Sequence, residues 1–190
     1  MRNIVLFLLF TCVPPSCRNN PTPKPKGYLR IDLPEAQYVA FDRSEWPFGF
    51  HISTQTVIEI PSEDSSLYWL NIDYPALHAK IYCSYRAITP LSLPEYENEC
   101  RRLVEGTAGN SDAINEKSYE NRERRVYGAL FRIEGETASP VQFMLTDNTS
   151  VFFRGALYYQ YSANTDSLAP VTEYILRDIT ELIQSFYWKK

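Results

Sequence analysis

The chain has 190 residues, 44% of them hydrophobic and 22% charged, with a formal net charge of −4 at pH 7. That length allows one domain with a sizeable core, and the balance is that of an ordinary globular protein. A mildly acidic chain leaves no basic footprint for nucleic acid, and 14 Tyr and 10 Phe against 7 Gly favour a sheet-rich fold.

Residues 1–16 read as an export signal. Arg2 gives a positive start, Ile4 to Phe10 an apolar run, and Ser16 a small residue at the cut. As a helix that run reaches roughly 15 Å, about half of a bilayer core, so it does not span one. Cys17 follows the small residue directly, and the segment therefore resembles a lipoprotein signal peptide with Cys17 as the site of lipid attachment. In such signals the thiol takes a diacylglycerol and the freed amine is usually acylated as well. Two or more chains anchor stably where one is marginal. Pro14 and Pro15 depart from the usual Leu and small residue, which leaves plain secretion as the alternative. Cys12 is a poorer acceptor, because cutting there leaves an even shorter apolar core.

Residues 17–27 form a Pro-rich tether with Pro21, Pro23 and Pro25. Extended at about 3.1 Å per residue, it lifts the domain on the order of 30 Å off a lipid surface. A single globular α+β domain is expected over 28–190. Its first extended segment alternates Tyr28, Arg30 and Asp32 with Leu29, Ile31 and Leu33, which gives it a polar edge and an apolar one. Tyr28, Arg30 and Asp32 are candidates for partner contact, since Arg and Tyr are common at interface hot spots. The competing reading is that Arg30 and Asp32 merely pair with each other or with neighbouring strands.

Two strands are expected at 46–52 and 56–60 around a short turn, and two more at 67–74 and 77–86 joined at Pro75-Ala76. Ser92 can cap a helix running to about Glu105 or Gly106, with Pro94 and Glu95 in its first turn. Antiparallel pairs follow at 113–120 with 125–134, and at 141–146 with 151–161, the latter turning at Asp147-Asn148-Thr149-Ser150. A final helix begins near Asp166 or Ser167, with Pro170 in its first turn. Its apolar stripe is Val171, Tyr174, Ile175, Ile179, Leu182, Ile183 and Phe186, and its polar face carries Glu173, Arg177, Asp178, Glu181 and Gln184. The order of elements predicts α+β, with a mainly antiparallel sheet and two principal helices packed on it, the last at the C-terminus.

Few groups carry chemistry. Once Cys12 leaves with the signal and Cys17 is lipidated, Cys83 and Cys100 remain. An exported protein can oxidise such a pair to a disulfide, and the alternative is two small buried apolar residues. The two histidines, His51 and His78, sit in expected strands with no Cys/His cluster at metal spacing. No phosphate-cradling glycine loop or nucleophile elbow occurs. Asp73 and Asp147 stand at strand ends, where Asp usually makes a turn hydrogen bond. No catalytic residue, cofactor or metal is expected.

Several segments in order resemble the gliding-motility lipoprotein GldD family. They are 23–34 (PKPKGYLRIDLP), 69–75 (WLNIDYP), 79–81 (AKI), 142–147 (QFMLTD), 153–158 (FRGALY) and 166–171 (DSLAPV). The resemblance covers nearly the whole chain after the signal, and it implies a non-catalytic envelope lipoprotein, accessory to gliding motility and to type IX secretion. The implied partners are the membrane, through the lipid anchor, and envelope proteins of that apparatus. The absence of acidic residues just after Cys17 fits a domain facing the periplasm. Cys83 and Cys100 stand where the family is expected to carry Leu and Ser, which weakens a family-wide disulfide. The alternative function is a periplasmic ligand- or lipid-binding lipoprotein, with a pocket between helix and sheet.

Overall fold

In a computed structural model, the described residues are 33–61, 68–160 and 165–189. They form ten strands and two helices: β1 (Tyr38–Phe41), β2 (Phe48–Ser53), β3 (Val57–Glu59), β4 (Trp69–Tyr74), β5 (Ala79–Ala87), α1 (Leu93–Ala108), β6 (Asn110–Asn121), β7 (Val126–Glu136), β8 (Val141–Thr146), β9 (Val151–Tyr159), α2 (Thr165–Ser185) and β10 (Tyr187–Trp188). Seven strands make one sheet in the order β3-β4-β5-β9-β8-β7-β6, and β1-β2-β10 make a smaller one. Every pairing is antiparallel. The expected class, two helices on mainly antiparallel sheet with the last helix near the C-terminus, is the observed one.

The period of two divides the large sheet into two faces. Leu70, Ile72, Ile81, Cys83, Phe143, Leu145, Phe153 and Leu157 point to one face, where they pack with α2 and the small sheet. Ala129, Phe131, Ile133, Met144 and Phe152 point to the other, against α1. The two helices thus lie on opposite faces.

Aromatic packing joins the small sheet to the large one. Phe48 lies 4.9 Å from Phe153 and 5.7 Å from Phe186, and Trp188 of β10 meets Phe186 edge-on at 4.7 Å. Such pairs are worth about 0.5–1.5 kcal/mol each beyond the area they bury. Gly155 makes this possible locally: a Cβ there would stand 2.3 Å from the Phe143 ring, so only glycine lets that ring lie over β9.

The two strands expected around a short turn form as β2 and β3, and they join different sheets, β2 pairing with β1 and β10 and β3 with β4. Other expectations need correction. The short strands β1 and β10 have no counterpart in the sequence reading. Ser92 does stand at the N-cap of α1, but its side chain caps nothing. Its Oγ accepts the Thr89 N–H at 3.0 Å and donates to the Thr89 carbonyl at 3.0 Å, stabilising the preceding turn instead. α2 begins at Thr165, so Pro170 lies inside the helix rather than in its first turn.

Candidate functional site

Among the described residues, α1 packs on β7, β8 and β9 and leaves the β3-β4-β5 end of its face bare. The alternation that buries Leu70, Ile72 and Tyr74 turns Trp69, Asn71 and Asp73 outward on this bare half. Their cross-strand partners add Val57, Glu59, Lys80 and Tyr82, and β9 adds Tyr158. Val57 is 53%, Trp69 43% and Tyr82 51% exposed, so the apolar residues are not shielded by their neighbours. Tyr82 and Tyr158 meet edge-on at 5.7 Å. Between the aromatics the Lys80 Nζ donates to Glu59 Oε2 at 2.7 Å and lies 3.6 Å from Asp73 Oδ1. The Glu59 contact raises the Lys80 pKa and lowers that of Glu59, which fixes both charges at neutral pH.

Where this bare half meets α1, a cleft of about 50 Å³ opens. Ser84, Arg86 and Arg154 line it from the sheet, and Tyr96, Glu99 and Cys100 from the helix. Arg154 is held from behind: its Nη2 donates to Gln142 Oε1 at 3.0 Å, and Gln142 Nε2 donates to Thr107 Oγ1 of α1 at 2.6 Å. Gln142 is fully buried, so this relay fixes the guanidinium between sheet and helix. The Arg154 Nε is itself buried and has no hydrogen-bond partner. The Arg86 Cζ stands 5.8 Å from the centre of the Tyr96 ring.

A second polar group is enclosed on the opposite face. Asp178 of α2 is only 4% exposed, and its carboxylate accepts the Tyr38 hydroxyl at 2.9 Å and the Tyr74 hydroxyl at 3.2 Å. Burial raises the Asp178 pKa against the opposing pull of these bonds. Burial and the adjacent carboxylate push Tyr38 up to about 12, so the phenol stays a donor. The expectation that Asp178 lies on the polar face of its helix is therefore wrong. Position 178 falls three and four residues from Ile175, Tyr174 and Leu182, inside the buried stripe, and that spacing is the signal that could have found it. Between α2 and the sheet beside Asp178 the free space is about 10 Å³.

Cys17, Tyr28, Arg30 and Asp32 all lie outside the described residues. Cys83 and Cys100 are both free and buried. A disulfide between them is corrected by geometry: Cys83 faces α2 and Cys100 belongs to the α1 cluster, with the sheet between them. Burial pushes the Cys100 thiol pKa up, with the Arg154 guanidinium acting against it. His51 Nδ1 lies 2.9 Å from Glu181 Oε1 at the surface. His78 is not in a strand but caps a 3-10 turn (Pro75–Leu77) with a left-handed φ of 49°. Asp73 shares the Lys80 contact. Asp147 serves the turn, its carboxylate accepting the N–H groups of Thr149, Ser150 and Val151. Among the described residues there is no group of three or more His, Cys, Asp or Glu that could hold a metal ion, and no helix long and apolar enough to cross a membrane.

By its architecture this is an α+β domain whose large sheet is, among the described residues, covered on one face and half bare on the other, with aromatics on the bare half. The chain belongs to the gliding motility lipoprotein GldD family, whose model matches residues 18–188. It is thus a cell-envelope lipoprotein associated with gliding motility. Among solved structures, the solution structure of cyanobacterial PsbP (CyanoP) from Synechocystis sp. PCC 6803 is similar at 10% identity and a TM-score of 0.49, over 87% of this chain and 99% of its own. No curated protein matches the chain.

Proposed function

We propose that the protein is a non-catalytic docking lipoprotein of the gliding and type IX secretion apparatus, anchored by acyl chains on Cys17 with its domain facing the periplasm. The observation that carries the docking part is the bare half-face of the sheet, where Trp69, Tyr82 and Tyr158 surround a fixed Glu59–Lys80–Asp73 ion group. Large aromatics offer rigid contact area, and Trp and Tyr with Arg dominate interface hot spots. For the alternative of a lipid or ligand chamber between helix and sheet, the gap beside Asp178 is about 10 Å³ and an open groove between α1 and β6–β8 is about 230 Å³. Both lie below the roughly 300 Å³ at which small-molecule sites begin. Tyr28, Arg30 and Asp32 are proposed as a second contact, where the tether meets the domain.

Photo-crosslinkers placed at Tyr82 and at Arg177 on α2 test the docking reading. Discrete adducts with envelope proteins from position 82 but not from 177 are expected, and the reverse pattern overturns it. Fractionation with a clickable fatty acid tests the anchor. The Cys17→Ser variant loses label and leaves the membrane fraction, whereas unchanged labelling contradicts the assignment.

A further inference from the structure

We infer that the cleft between Arg86 and Arg154 is a carboxylate-binding site, the charged end of the docking surface proposed above, on which it rests. Neither guanidinium has a carboxylate within ion-pair distance among the described residues, although Arg101, Arg122 and Arg132 do. Arg154 is partly enclosed, and its buried Nε–H has no acceptor. A charge drawn out of water without a counter-charge is costly, as is a buried donor left unsatisfied. A ligand oxygen supplies the acceptor that Arg154 lacks, and the exposed Arg86 beside it adds a second positive charge.

The size and charge of the cleft select the ligand. A space of about 50 Å³ takes a small group, not a sugar or a nucleotide. Two guanidiniums against the Glu99 carboxylate on the rim leave one positive charge, which one carboxylate neutralises. A dianionic phosphate would exceed that charge by one. Guanidinium also matches a planar carboxylate through two parallel N–H donors. The relay through Gln142 and Thr107 holds Arg154 before any ligand arrives, so little order is lost on binding. Trp69 pairs in register with Ser84 of the cleft wall, and Ser84 with Arg154. A partner whose acidic group enters the cleft therefore lays its neighbouring apolar groups on the aromatic half-face. The carboxylate comes from an Asp or Glu side chain or from a chain terminus.

The test follows the arginine Nε–H resonances by NMR, in the full-length lipidated protein held in detergent micelles. Sodium acetate is titrated against sodium chloride and inorganic phosphate at constant ionic strength. Saturable shifts at Arg154 and Arg86 with acetate, weaker with phosphate and absent with chloride, are expected. Arg86→Gln, an exposed position that leaves the fold intact, weakens acetate binding about tenfold or more. N-acetylglycine and the α-methylamide of N-acetylglutamate then separate the sources. Tighter binding of the first assigns a chain terminus, and of the second a side chain. No saturable acetate shift, tighter binding of phosphate, or full binding by Arg86→Gln each overturns the site. Failure of the site is distinguishable from failure of the docking surface, because a Trp69→Ser/Tyr82→Ser variant leaves acetate binding unchanged. If acetate does not bind but that variant loses gliding, the docking surface stands without the carboxylate site. If acetate binds and that variant glides, the site stands and the docking surface falls.

Discussion

Gly155 shows how one missing methyl shapes the core. Phe143 is fully buried, and its ring occupies the place a side chain at 155 would need. Gly155→Ala should cost about 2 kcal/mol through overpacking, a fall in Tm of about 4–8 °C, and an unchanged thermal melt would contradict this packing. Asp147 works in the opposite sense, through bonds gained. Burial disfavours its charge, but three backbone N–H donors and the hydroxyls of Thr149 and Ser150 outweigh that and hold the carboxyl well below the usual aspartate range. A depressed folded pKa adds stability above the ordinary value of 3.8, and that contribution is lost as pH falls below it. Asp147→Asn should therefore melt lower than wild type at pH 7, with the deficit shrinking in acid. Melts across pH 2–7 check this, and a deficit constant with pH would contradict the charge argument.

At the scale of elements, β1 is the first strand of the described residues. Four residues of antiparallel pairing with β2, together with the bond from Tyr38 to Asp178, fix it to the rest of the domain. Tyr38→Phe removes one of the two phenol donors to that carboxylate and should cost about 1–2 kcal/mol. A chemical denaturation series measures it, and no loss would mean that Asp178 does not clamp β1. Cys83 and Cys100 lie on opposite faces, so a reducing agent should leave the thermal melt unmoved, and a reductant-dependent drop would contradict the topology. Much of this level was legible from sequence. The hairpin over 141–159 and both helices follow strong local periodicity and turn chemistry, which depend only on neighbours in the chain. One partner of β2 comes from more than a hundred positions away, Tyr187 and Trp188 of β10, and no local pattern encodes that. The bare half-face was hidden for the same reason. Trp69 and Tyr82 read as ordinary outward positions of a half-buried sheet until the placement of α1 shows that no described element lies over them. Arg154 stands out in the sequence only as part of a family-like segment, because its bond to Gln142 joins β9 to the neighbouring β8.

At the scale of the whole molecule we propose three parts with distinct tasks: a signal and Cys17 that place it on a membrane, a Pro-rich stretch that gives reach, and a domain that offers a rigid surface. α2 and the small sheet make that surface rigid by filling the opposite face with rings such as Phe48, Phe50 and Phe186, all fully or almost fully buried. The central claim is that the protein acts through the bare half-face. The most direct measurement is complementation of gliding and secretion by a Trp69→Ser/Tyr82→Ser variant, paired with its thermal melt and membrane fractionation. Both side chains are largely exposed, so the melt should move by only a few degrees and the protein should stay in the membrane fraction, while gliding and secretion fall to the level of the deletion strain. Wild-type gliding and secretion by a folded, anchored double variant would contradict the account.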